Sequence, residues 1–297
     1  MSAPWTHDRD DEPTTGYALY DEVAERSAAL VIKRYSTSFG LASRLLNGPV
    51  RTRVRNIYAL VRVADEIVDA PRPQADPADQ ERLLDDLHAE VHQALRTGHS
   101  ANLVVHAFAL TARSCGIGPD LIDPFFASMR TDLFRVEHDE KSFAEYVYGS
   151  AEVVGLMCLR AFLSGRPNAD REYAELAPGA QRLGAAFQKV NFLRDLAADR
   201  DQLGRSYFPG LDPDRFDTEA RDRFLDDIDA DLAAAAEVIP RLPVGSRRAV
   251  AAAHALFAEL SRRLRATAPE RIRTERIRVP SAVKARIVAR AVLVGAS

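Results

Sequence analysis

Lysine is scarce in this chain: of forty basic residues only Lys33, Lys141, Lys189 and Lys284 are lysines, and the rest are arginine. Codon bias would produce the same skew, so the arginine count alone carries no functional argument. Acidic residues number 43, leaving a net charge of −3 over 297 residues. That balance excludes bulk electrostatic attraction to nucleic acid or to anionic lipid. The two cysteines, Cys115 and Cys158, are isolated, which excludes a disulfide framework and suits buried thiols in a reducing cytoplasm. No uncharged apolar run reaches the ~20 residues of a membrane span. The longest stretch without charge, residues 97–112, contains His99, Ser100, Asn102 and His106 and reads as a buried helix. Residues 1–16 are polar, acidic and rich in Pro and Thr, the composition of a disordered tail and not of a signal peptide. Phosphate-cradling glycine motifs are missing too: neither GxGxxG nor GxxxxGKS/T occurs, so no nicotinamide-binding module is legible.

What remains is a chain that is 46% hydrophobic and 28% charged, a globular composition able to bury a large core. Apolar residues recur at three and four, and strand-like alternation is almost absent. The pattern predicts helices at about 17–34, 50–70, 78–96, 101–115, 120–135, 142–163, 178–200, 218–238, 246–267 and 280–294. Pro49 suits a first helical turn, Ser100 and Ser246 suit helix starts, and Ser142 with Glu145 reads as a capping box. With no linker and no repeat, the expectation is a single all-α domain over 17–297 behind a tail of residues 1–16.

Chemistry concentrates in residues 184–209, GAAFQKVNFLRDLAADRDQLGRSYFP. On a helix Asn191, Asp195 and Asp199 share one face at four-residue spacing, with successive carboxylates roughly 6 Å apart along the axis. A second such element lies upstream in RVADEIVDA, with Arg62, Asp65 and Asp69. Hard divalent cations take carboxylate and phosphate oxygens, so two facing pairs can hold Mg²⁺ and, through it, a diphosphate. Arg62 and Arg194 could contact that diphosphate directly. The competing reading is two solvated ion-pair faces, and the residues alone leave both open. Small residues at 149, 151 and 155 in YVYGSAEVVGLM permit either close helix approach or room for a ligand, and Glu152 among them needs a partner if buried. Ser36 and Ser38 suit junction capping or phosphate contact, since no His–Asp partner for a nucleophile is legible. His88 and His92 have the spacing of half a zinc site. Without HExxH or a third ligand nearby in sequence, they read as an exposed helix face.

Together YSTSFGLASRLL (35–46), IYALVRVADEIVD (57–69), YVYGSAEVVGLM (146–157) and the 184–209 stretch resemble the squalene/phytoene synthase family over residues 20–290. The resemblance implies an all-α isoprenoid synthase bundle with a central cavity, acting as a prenyltransferase most like bacterial phytoene synthase. It implies that Asp65, Asp69, Asp195 and Asp199, with Asn191, hold Mg²⁺ (or Mn²⁺) carrying diphosphates. By motif position Ser36, Ser38, Tyr58, Arg62, Gln188, Asn191, Arg194, Arg205 and Tyr207 contact substrate or order the metals, and Tyr146 lies near the reacting carbons. The expected reaction joins two geranylgeranyl diphosphates, without NADPH. The alternatives are dehydrosqualene, presqualene diphosphate or squalene synthesis from farnesyl diphosphate, or a non-catalytic helical scaffold. Head-to-tail elongation would more naturally show DDxxD runs, and none occurs. Expected partners are isoprenyl diphosphates and no nucleic acid, with transient membrane contact and contact with downstream carotenoid enzymes. The expected location is the cytoplasm, peripheral to the inner face of the cell membrane. Glu152 stands where many members have glycine, Val147 replaces a cysteine, and Phe257 falls where some carry tyrosine. Ala59, Val63, Val153, Leu156, Met157 and Phe187 are the expected cavity walls.

Overall fold

The computed structural model describes residues 16–36, 38–69, 76–135, 137–198, 207–211 and 215–294. Their regular structure is helical, and the all-α expectation holds among them. In chain order the helices are α1 (Gly16–Tyr35), α2 (Ser38–Ser43), α3 (Gly48–Asp69), α4 (Pro77–Thr97), α5 (Leu103–Cys115), α6 (Pro119–Phe134), α7 (Glu140–Val147), α8 (Val153–Leu163), α9 (Ala169–Ala198), α10 (Thr218–Val238), α11 (Val244–Arg265), α12 (Pro269–Ile272) and α13 (Ser281–Val294). A single π-turn, Tyr148–Glu152, joins α7 to α8.

Two apolar clusters organise the bundle. One gathers Ile57, Leu60 and Ala64 of α3 with Leu84, Phe108, Phe125, Phe126 and Met157 from α4, α5, α6 and α8. The other gathers Ala186, Val190 and Leu193 of α9 with Leu225 and Ile228 of α10 and Leu264 of α11. The α8–α9 crossing joins them and is close because both helices place glycine there. A Cβ at Gly155 would lie 2.6 Å from the Ala180 carbonyl oxygen, and one at Gly184 would lie 2.5 Å from that of Ala151. Of the two readings left open for the small residues of YVYGSAEVVGLM, Gly155 meets both: it permits the close helix approach, and it lines a cavity.

Several helix signals act differently from the sequence expectation. The α5 cap is Asn102, whose side chain accepts from the Val104 and Val105 amides. Ser100 is engaged elsewhere, donating to Glu90 at 2.5 Å. The capping box of α7 pairs Asp139 with Ser142 and not Ser142 with Glu145. The α9 helix starts nine residues before Pro178, at Ala169, because Tyr173, Leu176 and Ala177 pack into an apolar cluster with Leu159 and Leu163. That burial outweighs the backbone hydrogen bond that an internal proline removes. Residues 140–163 are apolar enough to cross a membrane by length and composition, yet 56% of the most apolar window is buried inside the bundle.

Candidate active site

One face of α9 carries the site from its apolar to its polar end. Leu176, Ala180, Gly184 and Phe187 line a cavity of about 770 Å³, counted with its mouth. Asn191 and Asp195 continue that face at the same helical spacing, one and two turns beyond Phe187. The remaining cavity wall comes from Phe39 of α2, Val54 of α3, Leu159 and Phe162 of α8, Val238 of α10 and Ala253 of α11, among others. Phe187 is the one sequence-expected wall residue that lines it. Val153, Leu156 and Met157 are buried on the other side of α8, packed with α3 to α6, and Ala59 packs with Ala24 and Ala28 of α1. Val63 likewise packs against the first cluster.

The wall is chemically quiet. Burial pushes the Cys158 thiol up to about 12, so it stays protonated, and the Ser43 hydroxyl is committed to the Gly40 carbonyl at 2.9 Å. Phe257 lies face to face with Phe187, ring centroids 3.7 Å apart. Glu152 points away into a charged network, where Gln181 donates to it at 3.2 Å. Its carboxyl is raised by burial and by Asp231.

Phe39, which lines the cavity, stacks on Tyr58 at 5.8 Å, and the Ser36 hydroxyl accepts from the Gly40 amide at 3.1 Å. One turn along α3, Arg62 lies over the Tyr35 ring at 4.6 Å and pairs with Glu66 and, at 4.0 Å, with Asp65. The Asp65 carboxyl is raised to about 7 by burial, then by Asp69, with Arg62 opposing and Asp132 adding to the rise. Asp132 of α6 is a site residue that the sequence did not mark. It is 8% exposed and accepts from Tyr146 at 2.7 Å and from Tyr207 at 3.2 Å.

Those two tyrosines bridge α6 to α9. Tyr207 stacks on Phe192 at 4.0 Å and Tyr146 on Tyr207 at 5.3 Å, while His138 lies 6.0 Å from Tyr207, nearly parallel. Burial first, and Asp132 next, drive the Tyr146 hydroxyl well above the ordinary tyrosine range. It stays protonated and donates. The π-turn begins two residues after Tyr146, and its Ser150 lies 3.4 Å from the Gln188 side-chain nitrogen. Such single π-turns recur at functional sites. Gly149 permits this one, because a Cβ there would collide with the Pro124 carbonyl.

Around Asp195 the neighbours are cationic. Arg194 donates through Nε at 2.9 Å, and Arg276, which precedes α13 and was not marked by the sequence, donates to the same oxygen at 2.7 Å. Lys284 is close enough to Arg194 and Arg278 that burial, then those two charges, lower it. Asp199, Arg205 and the Ser38 side chain lie outside the described residues.

The donor set suits a hard divalent cation. Asn191 Oδ1 is buried with no hydrogen-bond partner among the described residues, leaving an unused oxygen on the face shared with Asp195. Asp65 and Asp69 supply a second set of oxygens whose crowding favours an added cation.

Comparison with known proteins agrees with this architecture. The squalene/phytoene synthase family model matches residues 32–282. A 15-cis-phytoene synthase from Paracoccus sp. is 30% identical over 276 residues, covering 85% of this chain and 86% of that protein. A 4,4′-diapophytoene synthase from Staphylococcus haemolyticus is 29% identical, covering 60% of this chain and 59% of that protein. A bifunctional lycopene cyclase/phytoene synthase from Leptosphaeria maculans is 27% identical, with 48% of its length matched, so the chain spans only about half to three fifths of these last two relatives. Among solved structures, a dehydrosqualene synthase superposes with a TM-score of 0.76 at 20% identity, over 93% of this chain and 98% of that one. A squalene synthase from Alicyclobacillus acidocaldarius gives 0.71 at 17% identity, over 84% and 95%; these two show the shared fold. A match this long, on a helical bundle with the expected cavity, places the chain in the squalene/phytoene synthase family.

Proposed function

We infer that the protein is a head-to-head prenyltransferase that joins two geranylgeranyl diphosphates to phytoene through the cyclopropyl intermediate prephytoene diphosphate, in carotenoid synthesis. The observation that carries this reading is the continuous face of α9, apolar along the cavity and polar at Asn191 and Asp195. It matches a substrate with a long hydrocarbon tail and a doubly charged head. The Paracoccus relative, matched along most of both chains, favours the twenty-carbon substrate.

Asp65, Asp69, Asn191 and Asp195, with Asp199 by motif position, would hold Mg²⁺. Held there, the metal would supply positive charge to offset that of a leaving diphosphate. Arg62, Arg194 and Arg276 add guanidinium donors for the same oxygens. Gln188, Tyr58 and Ser36 line the approach, and Ser38 and Arg205 join them by motif position. Once ionised, the allylic cation is attacked by the double bond of the second substrate, and proton loss closes the cyclopropane. A second ionisation, rearrangement and proton loss release the hydrocarbon. The cation must be kept from water, which the largely apolar wall of the cavity supports. Tyr146, fixed by Asp132, presents its ring and protonated hydroxyl at the polar end.

Incubation with geranylgeranyl or farnesyl diphosphate, Mg²⁺ and no NADPH, followed by product identification, tests this reading. Phytoene from the twenty-carbon substrate supports it. Dehydrosqualene or presqualene diphosphate from farnesyl diphosphate alone transfers it to the second reading, which the diapophytoene synthase relative favours. No condensation product from either overturns it in favour of a scaffold.

A further inference from the structure

Away from the cavity, α4 and α6 bring three ligating atoms to one point. His88 Nε2 and His92 Nε2 lie 2.9 and 2.7 Å from Asp123 Oδ1 and 3.0 Å from each other. The helical spacing of the two histidines supplies half of such a set, and the third member comes from a helix more than thirty residues later in the chain. That is why the sequence reading, with no third ligand nearby, set them aside as an exposed face. Protons satisfy this triangle poorly. If both imidazoles donate to the one oxygen, two N–H groups face each other at 3.0 Å.

We propose that His88, His92 and Asp123 form a binding site for a zinc-type divalent transition metal that clips α4 to α6. Two imidazole nitrogens and one carboxylate oxygen suit Zn²⁺, Co²⁺ or Ni²⁺, whereas Mg²⁺ and Ca²⁺ prefer oxygen throughout. With ligand bonds of about 2.0–2.1 Å, a tetrahedral face has edges near 3.3 Å. The triangle needs to open by only a few tenths of an ångström. Three protein ligands leave a fourth position for water. His88 is held for the task by stacking on Phe126, centroids 4.3 Å apart. Ligation through Nε2 moves its ring proton to Nδ1 and gives up the 3.2 Å contact there with Arg130. Arg130 itself remains anchored to Asp85 at 2.7 Å. The clip would fasten the outer helix α4 to the helix that carries Asp132, nine residues and roughly 13 Å farther along α6.

The test titrates Zn²⁺ by calorimetry into metal-stripped, untagged protein, with Mg²⁺ in large excess to occupy the carboxylates of the candidate active site. One saturable equivalent and a raised Tm are expected. His92→Gln and Asp123→Asn should each weaken binding at least ~10-fold and abolish the Tm rise, while both remain folded by circular dichroism. His92 and Asp123 are the more exposed ligands, which spares the packing that His88 makes. Absence of saturable Zn²⁺ binding under excess Mg²⁺ overturns the proposal, and so does wild-type affinity in the two variants.

Discussion

Asp65 on α3 and Asp195 on α9 each stand four residues before a second aspartate, yet their neighbours differ in sign. Asp65 is crowded by Asp69 and Asp132, with Arg62 only partly offsetting them, and its carboxyl rises to about 7. Asp195 is gripped by Arg194 and Arg276. In one half of the proposed clamp a single guanidinium leaves the carboxylates under-compensated, while at Asp195 two guanidinium groups already supply positive charge. A cation arriving at α3 relieves repulsion, whereas one arriving at Asp195 must compete with Arg276. Two motifs that read alike in sequence should load differently.

The strongest way to break this comparison is to neutralise each half. Asp65→Asn and Asp195→Asn should each lower turnover at least ~10³-fold, with circular dichroism unchanged. If Asp195→Asn keeps a tenth of the wild-type rate, the α9 half is a structural ion pair and the symmetry of the motifs is misleading. Next in size is Tyr146→Phe, which removes one of the two hydroxyl donors of buried Asp132. A cost of about 1–2 kcal/mol in denaturant unfolding is expected, together with a fall in kcat. A smaller effect belongs to Arg276→Gln: with the competing guanidinium gone, the Mg²⁺ concentration for half-maximal activity should fall about threefold, the scale of a half-exposed ion pair. An unchanged or raised Mg²⁺ requirement would show that Arg276 does not compete for Asp195.

The smallest effect concerns Glu152 of the π-turn, which meets Gln181 in the middle of α9. Glu152 is raised above the ordinary glutamate value of 4.5 by burial and by Asp231. The folded protein thus keeps a proton there that the unfolded chain has lost, and stability drains away as pH rises above that value. Glu152→Gln has no such loss. Its Tm relative to wild type should climb between about pH 4 and pH 7, and a flat difference would mean that Glu152 is fully solvated.

Much of this was legible from residue order. The carboxylate spacing on α3 and α9 and the YVYGSAEVVGLM segment could be read because polar residues interrupt apolar periodicity there. Asp132 could not: MRTDLF is an ordinary amphipathic helix, and only the fold brings Tyr146 and Tyr207 onto its carboxylate. Arg276 was lost among the many arginines near the C-terminus. The cavity walls were misread because α8 is apolar on both faces, so periodicity cannot distinguish the side packed against α3 to α6 from the side lining the cavity. Asp123 needed a neighbouring helix to become a partner for His88 and His92.

The π-turn at Tyr148–Glu152 carries one last implication. Each helical residue advances the chain by about 100°, and a π-turn accommodates one residue more than α-helical winding would. The helix that presents Tyr146 to Asp132 and the helix that presents Leu159 and Phe162 to the cavity are set in rotational phase by that surplus. Gly149 apart, the site should therefore tolerate side-chain exchanges between 148 and 152 better than an added residue. Inserting one further residue there, beyond the one that the π-turn absorbs, would swing the hydroxyl of Tyr146 a quarter-turn or more away from Asp132, leaving every motif residue intact and the site out of register.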